Sequence, residues 1–441
     1  MNYLGAGGAA ALTLVALTAP ASAAPTETVL YGFMGGKDGS YPQAGLLLDT
    51  SGALYGTTYD ADGNAACKIG GCGTVFKLSP PAGGGTGWTK TELVSFRMKK
   101  HGAYPAAGLI GDASVALYGT TQGGGGLRRG AVFKLTPPAA GTTAWTETVL
   151  HSFKGGTDGQ YPLAGLLAGA NGELYGTTGS GGATNHCANG CGTVFQLTPP
   201  ATGKKSWTET VICTFQGRTD GAAPAGGLVA DASGALYGTT PVGGGSPNCS
   251  DYAVGCGIAF KLTPPAAGGT AWTETVIHRF EADNGANPVG ALVMDASGAL
   301  YGATELGGSA TNCLDGCGLV FKLAPPAAGG RGWTTTLLHH FTGSEDGQFP
   351  EAGLMMDSSG ALYGTTQLDM GGFGRGTVFK LTPVAGGASW TKTVLSYLSD
   401  GGAQAAASPH SVLIENANGV LYGTTNGGGV AGKGTVYEVA Q

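Results

Sequence analysis

The peptide Leu-Tyr-Gly-Thr-Thr, or a one-residue variant of it, recurs seven times along this chain. Its tyrosines are Tyr55, Tyr118, Tyr175, Tyr237, Tyr301, Tyr363 and Tyr422, spaced by 63, 57, 62, 64, 62 and 59 residues. A period of that length marks one supersecondary unit repeated, and such a unit buries its apolar face only against a neighbouring copy. Four strand-like runs fill each copy. The first is the apolar "AGLLLD" (44–49) and the second is "ALYGTT" (53–58). Between them Asp49-Thr50-Ser51-Gly52 reads as a tight hairpin turn: Asp bonds its own backbone and Gly supplies a positive φ. The third is "GTVFKL" (73–78), with β-favouring Val75 and Phe76. The fourth, "WTETVLHSF" (145–153), alternates polar and apolar residues like an outer strand with one wet face.

Four antiparallel strands repeated seven times predict an all-β, seven-bladed β-propeller. The expected blades run over about 42–96, 105–153, 162–215, 224–280, 288–341, 350–398 and 409–441, the last completed by 26–33. That completion follows from the ends. "TETVLYGF" (26–33) is an outermost strand without a blade before it, and "GTVYEVAQ" (434–441) is a third strand without an outermost strand after it. Joined, they close the ring and remove its open edge. A linear solenoid, the second choice, leaves both fragments unpaired. Trp88, Trp145, Trp207, Trp272, Trp333 and Trp390 share one repeat position, which reads as packing between blades rather than a ligand box.

Composition agrees once the period is known. With 85 Gly and 22 Pro the chain would otherwise suggest low complexity, but only 11% of residues are charged and 42% are hydrophobic, too apolar for a solvated disordered chain. A net charge of −6 provides no basic footprint for nucleic acid. Residues 1–23 read as a secretory signal peptide. The apolar run 9–19 is too short to span a bilayer and leads to Ala21-Ser22-Ala23, an A-x-A cleavage site, although no Lys or Arg precedes the run. No second run of spanning length follows, so the expected product is a soluble, exported monomer, secreted or periplasmic.

The repeat, with "LYGTT", a Gly-rich loop, "GTVFKL" and "WTETVLHSF", resembles the bacterial GloVer-type, or choice-of-anchor, tandem-repeat proteins over essentially all of 26–441. The resemblance implies an exported repeat protein and assigns no activity. Many such proteins carry a C-terminal surface anchor. This sequence ends at Gln441 inside a strand, which favours a secreted or periplasmic product over a tethered one.

What differs between copies is the loops. In a propeller the second-to-third and fourth-to-first loops emerge on one face, and here they are the variable ones, so this is the expected binding face. Four second-to-third loops carry cysteine pairs: Cys67/Cys72, Cys187/Cys191, Cys249/Cys256 and Cys313/Cys317. In an exported protein they read as local disulfides bracing Gly-rich loops; zinc is disfavoured by irregular spacing and by their placement on different blades. The other three loops have Arg129, Arg375 or Lys433 where these have the second cysteine. Cys213 is left over in a fourth strand and reads as a buried, inert thiol. Asp38, Asp158, Asp220 and Asp346 recur in the fourth-to-first loops, and Tyr41, Tyr104, Tyr161 and Phe349 precede a proline there. As a ring they would suit a sugar, a peptide or Ca²⁺. As structure, Asp-Gly makes a turn and the aromatic packs on the next blade, a role that recurrence favours.

No catalytic signature stands out. There is no G-x-S-x-G elbow, no H-E-x-x-H and no haem motif, and "GGGVAGKG" (427–434) lacks the Ser/Thr and the helix of a phosphate loop. His101, His186 and His410 lie in loops that could face one mouth. The expected function is therefore a non-catalytic binding or surface-interaction propeller for an extracellular carbohydrate or protein. No catalytic residue, no metal site and no cofactor is assigned; Ca²⁺ is possible but nothing in the sequence supports it. A propeller lyase and a structural envelope protein are the alternatives, the first by fold analogy alone. A Tyr, a His and an acid grouped at one asymmetric point of the mouth would favour the enzyme; an even ring would favour binding.

Overall fold

The computed structural model describes residues 26–441 except 62–66, 68–70, 86, 99–100, 185, 247–248, 250–254, 311, 328–329, 331, 370–374, 385–388 and 399–405. The expected signal peptide lies outside the described residues. Seven antiparallel blade sheets are present, with a two-stranded sheet of 102–103 and 123–124 beside them; in six blades the strands follow chain order from the innermost outward, and in the seventh the outermost strand is the first of the chain. In the first blade the strands are Leu47–Leu48, Leu54–Thr58, Thr74–Ser79 and Thr89–Ser95. The innermost strand is shorter than the apolar run suggests. Only two residues pair, and the segment before them instead approaches the next blade, where the carbonyl of Gly45 lies 3.1 Å from where a Cβ on Gly108 would sit. Among the described residues no helix is long and apolar enough to cross a membrane.

The seventh blade closes the ring. Its third strand, Thr435–Ala440, pairs antiparallel with Thr26–Gly32, from Thr26↔Ala440 to Gly32↔Thr435. Phe33 then enters the core fully buried, edge-on to Phe76 at 5.2 Å. Every outermost strand carries a bulge at one register position, as between Val132 and Phe133, where Leu150 is the extra residue. A bulge re-aims the strand and increases its twist.

Each letter of the repeated peptide has a task. Leu54 is wholly buried. The Tyr55 hydroxyl donates to Asp49, whose other oxygen accepts from Ser51 and from the Ala53 amide. Lys77 lies 5.1 Å from the Tyr55 ring centre, a cation–π contact repeated at Tyr118, Tyr237, Tyr301 and Tyr363. Trp333 packs edge-on to Tyr237 of the preceding blade at 5.8 Å, and Trp272, Trp390 and Trp88 do likewise on Tyr175, Tyr301 and Tyr422. Gly56 is needed for close approach, since a Cβ there would come within 2.6 Å of the Phe76 ring. The first threonine reaches the next blade: Thr120 Oγ1 donates to the Ala164 carbonyl (2.9 Å), and Thr424 to that of Ala44 across the closure (3.0 Å). The second bonds within the blade, Thr58 to Thr74 at 2.8 Å.

Candidate functional site on the loop face

The loop face is a hydrogen-bonded surface, not a set of free loops. In every blade the end of the fourth-to-first loop bridges the chain just past the second strand, as at Ser40↔Asp60 and Gln160↔Ser180. The residue before the proline is left-handed in all seven blades: Tyr41, Tyr104, Tyr161, Ala223, Asn287, Phe349 and Ser408, with φ between 56° and 60°. A pre-proline residue ordinarily prefers extended backbone, so the surrounding structure must hold this one. It does so through an amide that donates to the previous blade. The acceptors are the carbonyls of Lys433, Cys72, Arg129, Cys191, Cys256, Cys317 and Arg375 at 2.7–3.0 Å. These are the positions marked in the sequence by the second cysteine or a cation. Their backbone joins one blade to the next.

The cysteine pairs are disulfides, with Cα–Cα separations of 5.6, 5.2, 5.6 and 5.3 Å. In blade three the disulfide lies over Gly217 of the following loop, and in blade five over Gly343. Arg129 covers Gly155 in the same way, and Lys433 covers Gly35 while donating to the Tyr41 hydroxyl at 3.1 Å. Arg375 is exposed. Between the braced loops of blades three and four opens a cleft of about 820 Å³. Ser180, His186, Asn189, Arg218, Thr219 and Ser246 give it hydroxyl, amide and basic groups over a glycine-rich backbone. Tyr104 and Tyr161 share the wall of a smaller pocket of about 260 Å³ with Met98 and Arg128; Tyr104 also stacks on Tyr59 at 5.3 Å. Phe349 packs into the core between blades five and six.

The four aspartates do not form a ring around a mouth. Each sits at a blade boundary, between the outermost strand before it and the one after it. Asp38 accepts from the Tyr31 hydroxyl (2.6 Å), the Met34 amide and Lys90 (2.9 Å). Asp346 meets His339 and Lys392, and these partners hold its carboxyl down at about 2 against the cost of burial. Asp158 meets His151 at 3.2 Å and Asp220 accepts from the Gln216 amide. The aspartate thus caps the turn and ties neighbouring blades. Cys213 occupies the matching outer-strand position, half-buried, 3.7 Å from Glu274; burial, then Glu274, raises its thiol far above the usual range and so disfavours the thiolate.

The three loop histidines do not gather. His101 pairs with Glu147 at the rim (2.7 Å), His186 lines the cleft, and His410 lies 2.6 Å from Glu351. Sequence reasoning missed the group around His410. Glu305 and Gln367 directly follow a second strand, and Glu351 and His410 directly follow Pro350 and Pro409, the prolines that recur in each repeat. Asn287 donates to Glu305, and Gln367 lies 3.5 Å from His410. The corresponding residues of blades two to four are Ala106, Leu163, Ala225, Gly179 and Pro241 among others, so only one side of the ring is acidic. Reading the two positions after each LYGTT and each proline across all repeats would have exposed this asymmetry.

Burial, then Glu351, pushes Glu305 up to about 7, against Asn287 and His410. Burial, then Asp220, does the same to Glu274, against Cys213 and Arg279. Their ordinary value is 4.5, so the folded state binds these protons more tightly than the unfolded one. Their contribution to stability is whole below about pH 4.5 and is lost as pH rises through about 7. We expect Tm to fall between about pH 5 and 8 and Glu305→Gln to flatten that fall; equal slopes in both proteins would exclude Glu305 as a source.

Seven four-stranded blades, closed by the first strand and displaying one braced loop face, define a tandem-repeat β-propeller. The chain belongs to the Gloeobacter/Verrucomicrobia repeat family, whose model matches residues 6–188, 71–250 and 248–441. No curated protein is significantly similar to it in sequence. Among solved structures, the fold is similar to PorZ of Porphyromonas gingivalis, described as an essential bacterial surface component of the type-IX secretion system. That match has 14% identity and a TM-score of 0.53, and covers 92% of this chain and 47% of that one. A putative 6-phosphogluconolactonase from Bacteroides uniformis matches with 15% identity and a TM-score of 0.47, covering 82% and 87%. A protein of unknown function from Dyadobacter fermentans matches with 10% identity and a TM-score of 0.44, covering 94% and 96%.

Proposed function

We propose that this protein is an exported, non-catalytic binding propeller that takes an extracellular carbohydrate in the cleft between blades three and four. The observation that carries the reading is the cleft itself. Disulfides Cys187–Cys191 and Cys249–Cys256 belong to its two walls, and it offers hydroxyl, amide and guanidinium groups suited to sugar hydroxyls. Four disulfides favour an oxidising compartment, which supports export. A glycan array probed with the oxidised protein, with Ca²⁺ and with chelator, should give a specific hit that Arg218→Ala weakens and disulfide reduction removes. A blank array would transfer the reading to a protein ligand.

One observation favours a second reading, a lyase. Glu305, Glu351 and His410 group asymmetrically, and a carboxyl titrating near 7 suits acid–base work. The loop aromatic nearest to Glu351 in sequence is Phe349. Depolymerisation of an anionic polysaccharide, abolished by Glu351→Gln, would establish it over simple binding.

A further inference from the structure

We propose that His151, Asp158 and Glu209 form a three-ligand site for a divalent transition-metal ion of the zinc class, stapling blade two to blade three. Their donor atoms all lie within 4.8 Å of one another. His151 stands on the outermost strand of blade two, Asp158 in the loop that follows, and Glu209 on the outermost strand of blade three.

The repeat supplies an internal comparison. The boundary between blades five and six has the same histidine and aspartate, His339 and Asp346, but its third residue is Lys392. That side chain is 7% exposed, and its ammonium lies 2.6 Å from Asp346. At the closure, Lys90 lies 2.9 Å from Asp38 and is 6% exposed. In both places a buried cation of the protein fills the space between the strands. Between blades four and five the residues are His278, Asn284 and Thr335, with no carboxylate to balance. Between blades three and four, Asp220 and Glu274 have the guanidinium of Arg279 within reach.

Two boundaries thus place two carboxylates together with no buried basic side chain among the described residues, since Arg279 is exposed, and of the two only the His151 boundary adds an imidazole; the other has Cys213 beside Glu274. Lys154 acts on the His151 boundary from the exposed side, and its amide, not its ammonium, bonds Asp158. Glu209 Oε1 and His151 Nε2 are both sealed from solvent without a hydrogen-bond partner. His151 Nε2 lies 3.2 Å from Asp158 Oδ1. That spacing matches the edge of about 3.3 Å between two ligands of a tetrahedral zinc ion with bonds of about 2.0–2.1 Å. One imidazole with two carboxylates is a donor set for zinc-class ions rather than for calcium, which prefers six to eight oxygens.

The test uses the full chain stripped with EDTA and titrated with ZnCl₂, followed by calorimetric titration and thermal melting. One equivalent of zinc should bind and raise Tm by at least about 2 °C, while Ca²⁺ leaves it unchanged. Glu209→Gln should lose this binding. Glu209→Lys rebuilds the boundary of Lys392 and should raise Tm without metal and ignore zinc. Lys154→Met should bind zinc like the parent. A flat parent titration, a Glu209→Gln titration like the parent's, a response to Ca²⁺ alone, or loss of stability in metal-free Lys154→Met without any zinc response would each overturn the assignment.

Discussion

Deleting residues 26–33 should leave no monomeric, cooperatively melting protein, and moving the same residues behind Gln441 should restore one. The deleted strand is the outermost strand of blade seven, and without it Thr435–Ala440 becomes an open edge. An exposed edge with unpaired amides invites pairing with other chains. The deletion also empties the place of Phe33, whose fully buried ring is worth about 3–5 kcal/mol by analogy with Phe→Ala in a core. Light scattering after gel filtration and differential scanning calorimetry read the outcome. A truncated protein that stays monomeric and melts within a few degrees of the parent would show that the closure is dispensable. A permutant that aggregates would show that the loops at the new junction, not the strand, were decisive.

Replacing Gly192 with alanine should destabilise the protein by about 3–4 kcal/mol, although the change adds one methyl group. Gly192 has φ 95°, which any L-residue adopts only with strain. The added Cβ would lie 2.5 Å from the Thr178 carbonyl oxygen and 2.6 Å from Cδ of Pro224 on the next blade. Both obstacles belong to the backbone framework, so no rotamer change relieves them. By contrast Gly203→Ala, in an exposed turn with no atom within 4 Å of a new Cβ, pays only the cost of its positive φ. Urea unfolding of both variants separates contact from conformation. Equal losses would refute the close approach as the cause.

The propeller and its closure were legible because they rest on local chemistry repeated many times. Turn residues at fixed offsets, alternation in the outer strand and two complementary end fragments suffice to order the strands. The disulfides were legible for the same reason, each pair lying within one loop. The role of the aspartates was half legible. Asp-Gly announces a turn, but the partners of Asp38 and Asp346 are Lys90 and Lys392, one blade further along the chain. Those lysines sit in the alternating outer strand, where a polar residue reads as solvent-facing. The left-handed residues were hidden because proline usually excludes that conformation from the residue before it. The group of Glu305, Glu351 and His410 was hidden because it comes from three blades and departs from the repeat instead of following it.

The closure also sets a clock. Lys433 and Tyr41 touch although they lie 392 residues apart, whereas Tyr59 and Gln122, in adjacent blades, are separated by 63. Bringing the distant pair together costs only about 1.6 kcal/mol more in chain entropy than the near pair. Thermodynamically the seal is cheap; in time it is not. At about 5–20 residues per second a ribosome needs roughly 20–80 s to make the intervening chain, and throughout that interval the first strand has no partner. A chain that stops short in any blade never acquires one. The ring therefore distinguishes finished from unfinished molecules by a simple physical sign, the presence or absence of a free edge.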